Sequence, residues 1–155
     1  MITKVSGDIG TAKRELSRML QESSERSDVR DFALAITPVY GEDQISAVYD
    51  YIKARIRYQP DPTYNELFIA PHRMIEMTKA SKASGDCDDI GLFCAAIYRA
   101  LGYDSRMVII DQAGVWDHAA CEVYSDKIGE WIFIDPVSPL PKGMIPDFNR
   151  RMEVS

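Results

Sequence analysis

The chain has 155 residues, 46% of them hydrophobic, which suits one well-packed domain and leaves too little for two. A net charge of −6 and a sequence pI near 4.9 argue against a nucleic-acid binder, which needs a basic face for phosphates; Lys and Arg are scattered, and Arg150-Arg151 is the longest basic cluster. The three cysteines, at 87, 94 and 121, form neither an even framework nor a C-x-x-C pair, so no disulfide scaffold is expected.

Met1 to Asp8 lack the apolar segment of a secretory signal, so a soluble protein of a reducing, cytoplasmic compartment is expected. Residues 11–26 contain neither Gly nor Pro and are rich in helix formers. Leu16, Met19 and Leu20 give this helix a narrow apolar stripe, fit for an arm packed on the body or for an oligomer contact. Asp28 is the expected N-cap of a second short helix carrying Val29, Phe32, Ala33 and Ile36, which Pro38 ends. Ile45, Val48, Tyr49, Ile52 and Ile56 recur at helical spacing over residues 42–55. Pro60 and Pro62 then impose a loop from Gln59 to Asn65, and Pro71 opens a helix over 71–80. Ser81 to Gly85 is a small, polar linker.

The next helix spans about 87–101. Asp86 is its N-cap, Asp88 and Asp89 complement its dipole, and Gly102 stands where a left-handed C′ residue belongs. Its apolar run leaves little polar face, so it is a core helix, and Ile90 to Tyr98 is far shorter than the roughly 20 residues that cross a bilayer. The period then changes from 3.6 to 2. Strands are expected at 106–110, 118–124 and 130–135, with Ser125 to Gly129 as a hairpin connection. Pro136, Pro139, Pro141 and Pro146 mark the last twenty or so residues as an irregular tail. Helices first and antiparallel strands afterwards make an α+β domain over residues 1–155.

Cys87 lies at a helix start, where free amides and partial positive charge lower a thiol's pKa and can cradle an oxyanion. A nucleophile there needs an imidazole, and the chain has two histidines, His72 and His118. His118 opens a strand whose hairpin return ends in Asp135. A turn at 125–128 would pair Tyr124 with Gly129, Glu122 with Trp131, Ala120 with Phe133 and His118 with Asp135, close enough for the carboxylate to hold the ring. A five-residue turn would put His118 and Asp135 on opposite faces.

Ser84-Gly85-Asp86-Cys87-Asp88-Asp89, His118 and Ile134-Asp135-Pro136 together resemble the transglutaminase-like cysteine enzyme superfamily, whose core is papain-like. The approach through Ile56-Arg57-Tyr58 resembles it too, and Tyr58-Gln59-Pro60-Asp61-Pro62 with Glu66 and Pro71 is similar to a subgroup met in bacteriophage and prophage genomes. The resemblance covers residues 42–136, leaving a helical N-terminal arm and a Pro-rich tail. It implies Cys87 as thiolate nucleophile, His118 as general base and acid, and Asp135 fixing the His118 tautomer. Gln59, Tyr58 and Tyr64 are candidates for a second oxyanion donor beside the Cys87 amide. Many members carry an aromatic residue two positions after the histidine, where this chain has Ala119-Ala120.

Other readings stand beside these. Asp86 and Asp88 are a candidate calcium pair, although a cap and first turn need no metal, and the same carboxylates oppose thiolate formation. Cys94 and Cys121 read as core thiols, and His72 as a surface residue. Trp116 and Trp131 line a cleft or pack at an edge, while Asp61 and Glu66 shape the neighbouring loop. The expected activity is acyl transfer from an amide or peptide bond of a protein or peptide substrate, with hydrolysis favoured over crosslinking. No cofactor, nucleic acid or membrane is expected. The competing class is a non-enzymatic phage structural or assembly protein, virion-associated through the N-terminal helix.

Overall fold

The computed structural model describes residues 2–5, 9–38, 40–41, 43–60 and 66–155. Asp61 and Tyr64, singled out above, lie outside the described residues. In chain order the elements are β1 (Ile2–Val5), α1 (Ile9–Ser24), α2 (Ser27–Ile36), α3 (Asp43–Arg55), β2 (Arg57–Tyr58), β3 (Glu66–Ile69), α4 (Pro71–Lys79), β4 (Ser84–Gly85), α5 (Cys87–Ala100), β5 (Ser105–Asp111), β6 (Trp116–Ser125), β7 (Glu130–Ile134) and β8 (Arg150–Val154).

Everything is built around α5. Every residue from Asp89 to Tyr98 is buried, as a helix without a polar face requires. Helices α1 to α4 pack on one side of it, and strands β5 and β6 on the other. Leu16, Met19 and Leu20, the stripe considered above as an oligomer contact, are buried in the core with α1 against α5. Two polar tethers fix the helix along its length. The Tyr98 hydroxyl donates to the Ile45 carbonyl at 2.7 Å, and Ser105 Oγ donates to the Ala95 carbonyl at 2.6 Å. Gly102 follows the last turn at φ +95°, a left-handed conformation that favours glycine.

The main sheet is antiparallel in the order β7-β6-β5-β8. Its fourth strand corrects the expectation of an irregular tail. The prolines confine irregular backbone to the segment before β8, and Arg150–Val154 then pairs with β5 from Met107↔Val154 to Asp111↔Arg150. Val154 is fully buried, and Arg151 reaches across to the buried Glu122 at 2.6 Å. Asp28 is not the cap of α2 either. The helix begins one residue earlier, at Ser27, and Asp28 lies in its first turn, accepting the Val29 amide at 2.9 Å and pairing with Arg26. Two short ribbons complete the fold: β1 against β3, antiparallel, and β2 against β4, parallel. The second converts part of the expected linker into structure.

Candidate active site

The entry to α5 is locked by its own carboxylates. Asp86 Oδ1 accepts the Asp89 amide at 3.2 Å, and Asp89 Oδ2 accepts the Asp86 amide at 3.0 Å, a reciprocal capping box. Asp89 Oδ1 accepts the Ile69 amide at 2.7 Å, which ties the helix start to β3. Both aspartates are buried. A Cβ on Gly85 would come within 2.8 Å of Asp89 Cβ, so the residue before the cap has no room for a side chain. Asp86, offered above as half of a cation pair with Asp88, thus uses its carboxylate to cap the helix. Among the described residues no group of three or more His, Cys, Asp or Glu side chains is placed to hold a metal ion.

The ribbon of β2 and β4 delivers the upstream candidates to this point. Tyr58 pairs with Gly85, and the Gln59 amide donates to the Gly85 carbonyl at 2.8 Å. Tyr58 and Gln59 are both exposed. Their backbone therefore runs beside the residues that lead into Cys87.

Cys87 itself is the first residue of α5 and is half-buried. The backbone amide of Ala119, the residue after His118, donates to its thiol. Burial pushes the thiol pKa up, and Asp88 and Asp86 push in the same direction; the Ala119 amide pulls down, and Asp135 adds to the upward shift. Burial and the flanking carboxylates oppose thiolate formation, so deprotonation of Cys87 calls for a base.

His118 and Asp135 meet on the hairpin of β6 and β7. His118 Nε2 lies 2.5 Å from Asp135 Oδ2, with both side chains largely shielded from solvent. Asp135 Oδ1 accepts the amides of Val137 and Ser138 at 3.1 and 3.3 Å, so a tight turn of the carboxylate's own making holds it still. A tautomer that donates Nε2–H to Asp135 keeps its lone pair on Nδ1.

The register that produces this pair differs from the expected one. Tyr124 pairs with Trp131 and Glu122 with Phe133, with the loop at 126–129. The turn lies one residue further along than expected, which moves every cross-strand pair by two. A shift of two preserves the faces of a strand. Continued one step beyond Cys121↔Ile134, the register sets Asp135 opposite Ala120 and makes His118 its diagonal neighbour, still within reach of a long side chain.

Gly91 is the residue that sequence reasoning missed. A Cβ there would meet the backbone of Ala120 at 3.3 Å, so the bare glycine lets α5 settle directly on β6. The signal was present: a glycine inside a strongly apolar helix usually has a packing reason. Ala120 is the other half of this contact and is almost fully buried.

Remaining candidates fall elsewhere. Trp116 starts β6, is half-buried, and carries the Arg150 guanidinium 4.5 Å from its ring centre. Trp131 is on the outer strand, with Arg106 stacked at 3.9 Å. Cys94 and Cys121 are fully buried in the core. His72 sits half-buried in the first turn of α4, its pKa lowered chiefly by burial.

A family model of the transglutaminase-like superfamily matches residues 29–136. The chain belongs to that superfamily. Among solved structures, it is similar to a candidate cysteine protease from Cytophaga hutchinsonii, with 18% identity and a TM-score of 0.60 over 82% of this chain and 43% of that one. It is also similar to a candidate protease from Parabacteroides distasonis, with 16% identity and a TM-score of 0.58 over 82% of this chain and 26% of the other. At those identities the likeness is one of fold, an α+β papain-like arrangement, and the chain spans less than half the length of either protein. Comparison with curated proteins gives no match.

Proposed function

We propose that the chain is a cysteine-dependent acyl-transfer enzyme that hydrolyses an amide or peptide bond with Cys87, His118 and Asp135. The observation that carries the reading is the His118–Asp135 contact at 2.5 Å, anchored by two backbone amides, on the strand whose next amide donates to the Cys87 thiol. A buried carboxylate that satisfies its second oxygen from its own turn is built to hold one imidazole tautomer.

In this mechanism His118 Nδ1 takes the thiol proton as sulfur attacks the substrate carbonyl carbon. The free amide of Cys87, in the first turn of α5, donates to the developing oxyanion. As the tetrahedral adduct collapses, the imidazolium returns its proton to the leaving amine, and a thioester remains on Cys87. Water then attacks the thioester while His118 again serves as base, releasing the acid and restoring the thiol. Cys87 and His118 are both partly exposed, so water has access to the intermediate. A primary amine in place of water would crosslink instead.

The test is turnover of a mixed peptide library followed by mass spectrometry, with and without an added primary amine. The expected result is new termini that disappear with Cys87→Ala, no amine adducts, and no change on adding a chelator. Amine adducts without new termini would replace hydrolysis by crosslinking. Cleavage that survives Cys87→Ala would remove the proposal.

A further inference from the structure

An open groove of about 590 Å³ runs alongside the β2–β4 ribbon and includes Gln59 and Ser84 on its wall. Four cations line it: Lys53, Arg55, Arg57 and Lys82. Three of them alternate along Lys53-Ala54-Arg55-Ile56-Arg57, and the pairing of Arg57 with Ser84 brings Lys82 beside them. All four are exposed, and none forms a salt bridge with a described residue. Elsewhere Arg18, Arg26, Arg73, Arg106, Arg150 and Arg151 are each paired with a carboxylate. Two of the groove cations are braced by aromatic rings instead. Arg55 stacks 4.1 Å from the centre of Tyr51, and Lys53 Nζ donates to the Tyr49 hydroxyl at 3.2 Å. This leaves their charge uncompensated while limiting how far they swing.

We infer that this groove binds an acidic segment of a peptide. Its role as a substrate anchor rests on the reading of Cys87 as nucleophile. The chain carries a net charge of −6, so its surface outside the groove is more negative still. A long polyanion would be repelled by that remainder, whereas a short acidic stretch confined to the groove meets only the cations. Asp86, Asp88 and Asp135 around the thiol make the bond-breaking point itself unfavourable for acidic side chains. Ser84 is three positions from Cys87, at most roughly 10 Å of chain.

Binding is read by fluorescence anisotropy on the Cys87→Ala protein, which separates it from turnover. The probes are a labelled Gly/Ser peptide carrying several Glu residues, the same peptide with Gln in their place, and a short oligothymidylate. The Glu peptide should bind, weaken as salt is raised, and lose about tenfold in affinity with Arg57→Gln and Lys82→Gln together. Lys53→Gln with Arg55→Gln, on the other flank of the groove, should give a loss in the same direction. Equal binding of the Glu and Gln peptides, indifference to both charge variants, or tighter binding of the oligonucleotide would overturn the inference. Binding of the Glu peptide together with an inactive wild-type enzyme would leave the groove standing and remove the catalytic reading.

Discussion

Cys87 and Cys94 lie on the same helix, about two turns apart and on the same side of it. Burial raises the pKa of both thiols, and Asp135 adds to both shifts. The contrast lies in what else surrounds each sulfur. Cys94 is sealed in the core, whereas Cys87 stands at the end of the helix, half-exposed, with an amide from the strand aimed at it and the His118–Asp135 pair on that strand. Helical periodicity puts a cysteine on an inner face twice. Of the two, the position where the helix begins, and where β6 passes close, is the one the proposed reaction uses.

The comparison breaks most severely at the imidazole. His118→Ala should lower kcat/KM by about 10³-fold or more while leaving the fold intact, as measured by steady-state kinetics beside a melting curve. Asp135→Asn should cost about 10²- to 10⁴-fold by the same assay, since the amide would favour the wrong tautomer and could not stabilise the imidazolium. Equal activity in either variant would mean that the 2.5 Å contact is structural only.

A subtler break is Gly91→Ala. In an ordinary helix this change stabilises by about 1 kcal/mol, but here the added methyl meets the Ala120 backbone at 3.3 Å. Pushing α5 off β6 by a few tenths of an ångström should cancel that gain and reduce kcat about tenfold, because the reacting groups sit on the two elements being separated. A stabilised variant of unchanged activity would show the close approach to be idle. Cys94→Ala sharpens the other side of the contrast: a loss of about 1 kcal/mol in denaturant unfolding with activity retained.

The smallest effect concerns charge. Asp88→Asn removes the carboxylate that contributes most, after burial, to raising the Cys87 pKa. A lower thiol pKa means a larger thiolate fraction at neutral pH, so alkylation of Cys87 should speed up about two- to fivefold.

Much of this was legible because it is local. The helix boundaries around α5 follow from Asp86, Gly102 and an uninterrupted apolar run, while the reciprocal bond from Asp89 that completes the capping box emerges in the structure. The His118–Asp135 contact survived an error in the turn because the error displaced the register by two residues rather than one. What sequence could not supply is non-local. Strand β8 was hidden behind Pro136, Pro139, Pro141 and Pro146, although its own five residues contain no proline. The β2–β4 ribbon pairs two residues with two, too few for any periodicity to declare itself. The basic groove follows in part from that ribbon, which brings Lys82 beside the alternating Lys53, Arg55 and Arg57.

The most direct test of the central claim is the pH dependence of iodoacetamide modification, with each adduct located by peptide mapping. In the native protein Cys87 should be modified well ahead of the sealed Cys94 and Cys121. Its raised pKa places the thiolate at alkaline pH, so the rate should still be climbing near pH 9, where an ordinary thiol with a pKa of about 8.5 is levelling off. His118→Ala should slow the neutral-pH reaction severalfold. Modification spread evenly over the three cysteines, or a Cys87 rate indifferent to His118, would contradict the account.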